Sequence, residues 1–328
     1  MRQLSLFGAE APPAAEGPAF QVEADLARRL PGHVRLGTSS WTFTGWQGLV
    51  YPTGLTPKRL RDEGLALYAR NPLFSTVGVD RSYYAPLGEA EWADYARQLP
   101  EGFRCVVKAW GELTARVDPQ TKAPNPSYLD RALFEEKVLG PLEPGLGGRL
   151  GALVLEFPPG RGSPALAPKD FVAGLDRFLG GLPAGLPAAV ELRRREYLCD
   201  EYWQCLAARG AGHVFNYWAG MPPLGVQLRA APGRLPGRLS VCRLLLPPGG
   251  DYEALRAAYA PFDRLHRPDP AMREGVRALA ERCGREGLEL FVLAGNKAEG
   301  SAPLTVRALA ALLASAGAAP ETRAPRGG

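Results

Sequence analysis

The amino-acid sequence predicts an α/β protein folded as a single (β/α)8 barrel of the TIM type, with a flexible N-terminal arm. Eight near-continuous apolar segments follow one another along the chain, and helical patterns separate most of them. Apolar strands that alternate with helices are typical of a parallel sheet whose two faces are both covered. A doubly wound open sheet is the alternative, but no GxGxxG motif follows the first strand.

The predicted strands are short runs rich in aliphatic and β-branched residues. They span His33–Ser39, Phe74–Asp80, Phe103–Ala109, Gly151–Phe157, Pro187–Arg193, Gly212–Tyr217, Leu239–Leu246 and Leu288–Ala294. The predicted helices span Lys58–Arg70, Gly88–Gln98, Asp130–Leu139, Pro168–Leu179, Asp200–Ala208, Tyr252–Ala260, Ala271–Cys283 and Pro303–Ala314. The sixth unit is irregular, because Ala219–Arg238 is rich in Pro, Gly and Arg and shows no clear helix.

The chain divides into three parts. Residues 1–20 form the predicted arm, since small residues and proline dominate from Gly8 onward. The barrel is predicted over residues 33–316, and residues 317–328 form a disordered tail.

Composition restricts the class of protein. Hydrophobic residues make up 46% and charged residues 22% of the chain, as in ordinary globular proteins. No apolar run reaches the roughly 20 residues of a membrane span, and no secretory signal is visible. The 5 cysteines form no CxxC pair, which fits a reducing compartment. We therefore expect a cytoplasmic protein without a membrane partner. The net charge of +5 reflects either compositional bias or approach to phosphate polymers.

Charged residues follow the apolar part of several strands. In a barrel, the C-terminal ends of the strands carry the active side. Asp80, Lys108, Glu156 and Glu191 lie there and are the candidate catalytic residues. Glu191 and Arg193 point to the same face, because alternate strand residues do so. They form either a base with its orienting partner or a structural ion pair. Lys108 is either an anchor for an anion or a Schiff-base lysine.

Aromatic and polar residues surround these charges and predict a pocket for an anionic small molecule. The candidate ligand-binding residues are Trp41, Trp46, Tyr83, Tyr84, Trp110, Arg193, Arg243, Asn296, Lys297 and Glu299. The amides of residues 296–301 are expected to hold phosphate, or Ser301 caps the last helix.

Cofactors are not predicted by any motif. With 3 histidines in the chain, a histidine-rich metal site is not expected. Asp80, Glu156 and Glu191 could together hold Mg²⁺, but the neighbouring Lys108 and Arg193 argue against a divalent metal.

The arm carries the pentapeptide Gln3, Leu4, Ser5, Leu6 and Phe7. Three large apolar residues without a local core need a partner. This pentapeptide resembles the motif by which bacterial polymerases and repair proteins bind the sliding clamp. The resemblance implies that Gln3 bonds at a polar rim and that Leu6 and Phe7 fill an apolar pocket. Packing of the arm on its own barrel is the alternative.

Six segments carry a resemblance that covers Arg35 to Leu313. They read LGTSSWTFTGWQGLVYP, FSTVGVDRSYYAP, FRCVVKA, LVLEFPP, AVELRRREYL and AGNKAEGSAPLTV. In this order they are similar to the motifs of the YecE-like proteins, a TIM-barrel domain of unknown function. The resemblance implies the fold and a shared rim, and no known reaction.

The chain departs from the usual pattern of that family in four places that matter. Gly78 and Asp80 stand where many relatives have Glu and Asn, and Glu156 stands where Gln is usual. Arg194 stands where His is usual, and Gly295 stands where a first Asn is usual. If the missing Glu is catalytic in the relatives, Asp80 and Glu156 are the replacement carboxylates.

Three functions follow as hypotheses. The first is a hydrolytic enzyme of DNA maintenance, which the clamp brings to DNA and which acts on a phosphate-bearing substrate. The second is a non-catalytic adaptor that binds the clamp and one further partner. The third is a metabolic enzyme acting on a small phosphorylated substrate. DNA affinity that falls steeply with salt favours the first two.

Overall fold

A computed structural model describes residues 18–118, 121–159 and 166–316 of the chain. Eight parallel strands form one closed barrel in the order of the sequence, with β8 paired to β1. The strands are β1 Val34–Thr38, β2 Thr76–Val79, β3 Arg104–Lys108, β4 Leu150–Phe157, β5 Ala188–Leu192, β6 Gly212–Tyr217, β7 Leu239–Leu244 and β8 Glu289–Ala294. The predicted (β/α)8 barrel is therefore confirmed, and each predicted strand end lies within two residues of the observed one.

The helices cover the outer face of the barrel. They are α1 Pro18–Arg28, α2 Pro57–Tyr68, α3 Arg81–Tyr84, α4 Glu89–Gln98, α5 Arg131–Phe134, α6 Gly140–Leu146, α7 Pro168–Gly180, α8 Asp200–Arg209, α9 Leu224–Ala230, α10 Tyr252–Tyr259, α11 Pro270–Glu286, α12 Asn296–Glu299 and α13 Ala302–Ala316. The helix predicted over Asp130–Leu139 is composite, since a π-helical segment, Glu135–Leu139, follows α5. Helix α1 begins at Pro18, inside the segment predicted as the arm.

The sixth unit does contain a helix, so the prediction of none was wrong. Helix α9 has 7 residues and follows Pro223, which makes it too short to show a helical repeat in the sequence. The buried side chain of Gln227 ties it to β6. Its Nε2 donates to the carbonyl oxygen of Asn216 (2.7 Å), and its Oε1 accepts from the Asn216 amide (3.3 Å).

The strands separate two hydrophobic clusters. The larger cluster lies between the outer strand faces and the helices. The smaller one fills the barrel interior with Val106, Ala152, Val154, Ala189, Val214, Leu239, Val241, Phe291 and Leu293. These residues recur at every second position of their strands, as inward-facing residues must.

The fit inside the barrel is tight where β3 meets β4. The pairing register shifts there, so that Val106 pairs with Ala152 and Gly151 is bulged. A Cβ on Gly151 would lie 2.6 Å from the Phe291 ring. Only glycine leaves room for that ring.

Within the described part of the chain, no helix combines the length and apolar character needed to cross a lipid bilayer.

Candidate functional site at the barrel mouth

The C-terminal ends of the strands carry a layer of inward-facing charges. Lys108, Glu156 and Arg243 each stand two residues after the apolar interior residue of their own strand. Glu191 follows Ala189 in the same way on β5. Alternation along the strands therefore places these four side chains above the apolar interior.

Arg243 is at the centre of this layer and is buried to 1% exposure of its side chain. Its Nη1 donates to Glu191 Oε2 (2.8 Å), and its Nη2 donates to Asp80 Oδ2 (2.6 Å). Burial opposes the charged form, but Asp80, Glu191 and Glu156 outweigh it and raise the pKa of Arg243. One guanidinium group thus joins the ends of β2, β5 and β7.

Three cationic side chains form ion pairs with one carboxylate oxygen of Glu156. Its Oε2 lies 2.7 Å from Lys108 Nζ, 2.9 Å from Arg193 Nη2 and 3.4 Å from Arg243 Nη1. Burial raises the pKa of Glu156, but the charges of Arg193, Lys108 and Arg243 together lower it to about 2. Glu156 is therefore ionised at neutral pH and serves to hold the cations.

Glu191 is fully buried between two arginines. Its Oε1 lies 2.7 Å from Arg193 Nη2, and its Oε2 accepts from Arg243. Glu191 does not line the cavity described below, so its geometry fits the structural ion pair of the two sequence interpretations. Asp80 is the most exposed of the three acids, with 31% of its side chain accessible against 11% for Glu156.

A cavity of about 320 Å³ opens above this layer. It is lined by Ser39, Ser40, Phe43, Trp46, Asp80, Tyr83, Tyr84, Lys108, Glu156, Pro159, Arg193, Trp218, Arg243, Leu245, Tyr252, Ala294, Gly295, Asn296, Lys297 and Ala302. Most residues of the predicted site thus lie around one cavity, which is at the small end of the range for ligand pockets.

Lys297 differs from the other cations of the wall. Lys108, Arg193 and Arg243 are each ion-paired with at least two of the three acids. Lys297 has no carboxylate within ion-pair distance among the described residues. Its Nζ lies 3.9 Å from the centre of the Tyr252 ring. Counted together with the buried Glu191 below the cavity, the mouth has four cations against three carboxylates, which is an excess of one positive charge.

Aromatic rings support the cations. The Arg193 guanidinium lies 4.2 Å from the centre of a Trp218 ring, and Lys108 Nζ lies 4.9 Å from the centre of the Tyr83 ring. Tyr83 packs so closely on Gly111 that a Cβ there would meet the ring at 2.6 Å. Cation–π contacts of this kind stabilise a desolvated cation. Tyr84, next in the chain, is 81% exposed.

Several donor atoms of the wall have no hydrogen-bond partner among the described residues. These are Arg193 Nε and Nη1, Arg243 Nε and Asn296 Nδ2, all of them buried. An unsatisfied buried donor costs about 1–3 kcal/mol. Buried polar groups normally have a hydrogen-bond partner, so these unpaired donors are candidates for contact with a ligand.

Three sequence-predicted ligand residues, Trp41, Trp110 and Glu299, lie outside this cavity. Trp110 does not line the cavity. Glu299 is fully buried and faces the start of α11, where its Oε1 accepts from the Asp269 amide (2.6 Å) and Arg273 donates to its Oε2 (3.0 Å). Glu299 was predicted from its place after β8, but α12 turns it away from the mouth.

Trp41 lines a second cavity of about 480 Å³ beside the first. The two cavities share Ser39, Ser40 and Asp80. Gly78 also lines this second cavity. Asp80, two residues on, is the acid that both cavities share.

The cap of the last helix is Asn296 and not Ser301. Asn296 Oδ1 accepts from the Ala302 amide (2.9 Å) and from Trp46 Nε1 (3.2 Å). The buried Ser301 hydroxyl has no partner among the described residues, so the alternative in which the Ser301 side chain caps α13 was wrong. Because α12 holds Asn296 beneath the first turn of α13, the cap comes from six residues before Ala302.

Sequence reasoning missed Phe43, Leu245 and Tyr252 as cavity residues. Phe43 and Tyr252 lie several residues beyond a strand end, where loop geometry decides the direction of the side chain. The charged residues at the strand ends, from which the site was predicted, do not indicate these three residues.

Among the described residues, no group of three or more His, Cys, Asp or Glu side chains is arranged to hold a metal ion. Asp80, Glu156 and Glu191 instead accept from Lys108, Arg193 and Arg243. These carboxylates already have their charge partners.

A larger cavity of about 730 Å³ lies at the opposite end of the barrel. It is lined by the segments that precede β5, β6 and β7, which include Ala188, Ala211 and Arg238. None of the ion-paired residues of the mouth, including the partly exposed Asp80, lines this larger cavity. We therefore place the candidate site at the smaller cavity of the mouth.

These features define a TIM-barrel protein with a polar, aromatic-walled pocket at the C-terminal face. The chain matches the family model described as protein of unknown function DUF72 over residues 35–327, and it belongs to this family. The family predicted from the six sequence segments is confirmed. No curated protein matches the chain significantly.

Solved structures of the family share the fold. A DUF72 family protein from Thermotoga maritima MSB8 is 20% identical, with a TM-score of 0.60 over 85% of this chain and 98% of that one. A DUF72 family protein from Enterococcus faecalis V583 is 18% identical, with a TM-score of 0.59 over 85% of this chain and 95% of that one. At this identity the likeness establishes the fold alone.

Proposed function

We propose that this protein binds a small phosphate-bearing anion in the mouth cavity, and that its N-terminal arm brings it to DNA through the sliding clamp. The observation that carries the first part is Lys297, a cation of the cavity wall without a carboxylate partner among the described residues. An anion in the cavity would supply the missing charge, and low-dielectric walls strengthen that attraction.

The other cations suit the same ligand. Lys108 and Arg193 line the cavity and are held in place by Glu156. A preorganised cation binds an anion without first losing side-chain freedom. Phosphate has several strong acceptor oxygens, and guanidinium and ammonium groups are its usual partners.

We also propose that the protein hydrolyses the bound substrate and that Asp80 activates the attacking water. Asp80 is the acid with most access to the cavity, and its Oδ2 is held by Arg243 and Lys108. Its second oxygen is the candidate acceptor for a proton from water, while Lys108 and Arg193 would stabilise charge that develops on the substrate. Glu156, with a pKa of about 2, is a poor proton acceptor near neutrality.

Binding of the ligand is tested by calorimetric titration with inorganic phosphate and with ribose 5-phosphate. Lys297→Met should weaken both by about 5- to 20-fold, because a hydrogen bond to a charged group contributes about 1.5–3 kcal/mol and part of this is screened by water. Lys297→Arg should retain most of the affinity. Lys58→Met, at an exposed lysine on α2, is the matched control. Equal affinity in all four proteins would overturn the proposal.

Recruitment rests on Gln3, Leu4, Ser5, Leu6 and Phe7, which lie outside the described residues. Three large apolar side chains in a segment of small residues and proline are the observation behind it. A protein that works on DNA through the clamp belongs in the cytoplasm, which is the localisation we propose.

Clamp binding is tested with the full-length protein and the sliding clamp of the same bacterium. Deletion of residues 1–8 and the double change Leu6→Ala/Phe7→Ala should each abolish binding. The change Leu26→Ala, in the core contact of α1, should not. If the intact protein does not bind the clamp, the proposed recruitment to DNA is wrong. The remaining function would then be action on small phosphorylated metabolites. Clamp binding without any phosphate affinity would instead favour an adaptor.

A further inference from the structure

We infer that the phosphate-bearing ligand is a nucleotide, whose base stacks on Tyr84 and Tyr252 at the rim of the mouth cavity. The inference rests on the proposed anion site and adds the chemical class of the rest of the ligand. It is carried by two exposed aromatic side chains that line the same cavity.

The exposure of these rings is unusual for the molecule. Among the described residues, four large hydrophobic side chains are exposed, and two of them are Tyr84 (81%) and Tyr252 (48%). Both line the cavity that holds Lys108 and Lys297. Exposed apolar surface concentrated at one cavity marks a place where a ligand covers it.

The two tyrosines come from different parts of the barrel. Tyr84 ends α3, which follows β2, whereas Tyr252 begins α10, which follows β7. Phe43 and Leu245 add apolar wall beside them. The cavity therefore has a charged floor and an aromatic rim, and a ligand that satisfies both carries an anionic group and a flat apolar face. Base–aromatic stacking of this type is a general means of binding nucleotides.

Lys297 links the two halves of the site. Its ammonium group lies over the Tyr252 ring at 3.9 Å from the centre. A phosphate group in the cavity would draw this cation towards the floor, since an anion attracts it more strongly than a ring does. The face of Tyr252 would then be free for the base. Phosphate binding and base stacking should thus reinforce each other.

The size of the cavity limits which kinds of nucleotide can bind. About 320 Å³ suits one small ligand, and a duplex cannot enter it. The base must therefore come from a free nucleotide or from a nucleotide unit of a single strand. Both present the same phosphate and the same flat face.

The experiment compares equilibrium affinities of the full-length protein for four probes. These are ribose 5-phosphate, adenosine 5′-monophosphate, a short single-stranded oligonucleotide and the duplex of the same sequence. Stacking predicts that the monophosphate binds about 5- to 150-fold more tightly than ribose 5-phosphate. A free nucleotide that binds more tightly than the single strand identifies a metabolite ligand, and the reverse identifies a strand. The duplex should bind more weakly than either.

Tyr84→Ala is the decisive variant, because this ring is exposed and its removal should leave the fold intact. It should remove most of the preference for the monophosphate and lower ribose 5-phosphate affinity far less than monophosphate affinity. Tyr252→Phe should keep the preference, since stacking needs the ring and not the hydroxyl. Val226→Ala, at an exposed apolar side chain outside the cavity, is the control.

The outcomes separate the two proposals. Ribose 5-phosphate binding that depends on Lys297, without a preference for the monophosphate, would overturn the nucleotide and leave the anion site standing. An equal loss of both ligands in Tyr84→Ala would also overturn the stacking role. Binding of neither ligand to the wild-type protein would overturn both.

Discussion

The lower part of the barrel interior and the mouth are both lined by inward-facing strand residues. These residues are apolar in the lower part and charged at the mouth. Val106, Val154 and Val241 lie in the apolar interior, and two residues later the same strands carry Lys108, Glu156 and Arg243. The lower layers gain free energy from the burial of apolar surface. The charged layer gains far less, since the desolvation of each ion opposes the attraction between them.

This difference shows where the chain departs from what stability alone would select. Well-packed hydrophobic residues often replace a buried ion pair at no cost in stability. The fold alone does not require the six ion-paired groups of the mouth, three acids and three cations, and the ligand proposed above would account for them. The predictions below test this division, beginning with the largest effect.

Removal of one buried charge should cause the largest loss of stability. Glu191→Ala leaves Arg193 and Arg243 without a main partner, and breaking a buried pair in this way costs about 3–5 kcal/mol. The free energy of unfolding is measured by urea denaturation. Glu101→Ala, at an exposed acid in a turn, should change it by less than about 0.5 kcal/mol. A similar small change for Glu191→Ala would show that the network is not held together by its charges.

Acid should weaken the mouth through Glu156. Its pKa is about 2 in the folded protein, whereas an unperturbed glutamate, as in the unfolded chain, has a pKa of 4.5. A lowered pKa stabilises the fold fully above the unfolded value, and this contribution is lost as the pH falls from about 4.5 towards about 2.

The measurement compares the wild type with Glu156→Gln across this pH window. Burial lowers the pKa of His213 to about 3, so the wild type also loses stability below about 6.5 for a reason unrelated to the mouth. Both proteins retain His213, and the difference between them isolates Glu156. This difference should shrink as the pH falls, and a constant difference would contradict the ion-pair account.

A change in the lower layers should affect stability without affecting the ligand. Gly151→Ala places a Cβ against the Phe291 ring, and overpacking of this kind costs about 1–3 kcal/mol. Urea denaturation should reveal the loss, while phosphate affinity measured in the folded protein should stay unchanged. Loss of phosphate affinity in this variant would show that the two regions are coupled.

The smallest effect should come from Ser301. Its buried hydroxyl has no partner among the described residues, so Ser301→Ala should alter the free energy of unfolding by less than about 0.5 kcal/mol. Asn296→Ala should cost about 1 kcal/mol more, because it removes the acceptor for the Ala302 amide. Thermal unfolding of the two variants compares them directly. A larger loss for Ser301→Ala would restore the serine cap predicted from sequence.

The sequence alone predicted the eight strands well, because an inner barrel strand is a nearly continuous apolar run with a charged end. Asp80, Lys108, Glu156, Arg193 and Arg243 could be placed at the mouth for the same reason. The pairing among them could not be predicted. The pairing of carboxylates with cations depends on strand register and on side-chain rotamers. Neither can be deduced from the spacing of residues in the sequence.

Features set by turns were also beyond the sequence. Helix α9 has no helical repeat to detect, and Glu299 points away because α12 is a single turn. Tyr252 reaches the cavity from the start of α10, several residues after β7 ends. In each case the direction of the side chain depends on the backbone path of a connection.

The most direct test is a crystal structure of the protein grown with inorganic phosphate, in which the position of the bound anion is determined. We predict phosphate in the mouth cavity, with Lys297 turned from the Tyr252 ring towards it and Lys108 within hydrogen-bond distance. A mouth cavity filled by water, with Lys297 still on Tyr252 and phosphate bound only elsewhere on the protein, would contradict the proposed anion site.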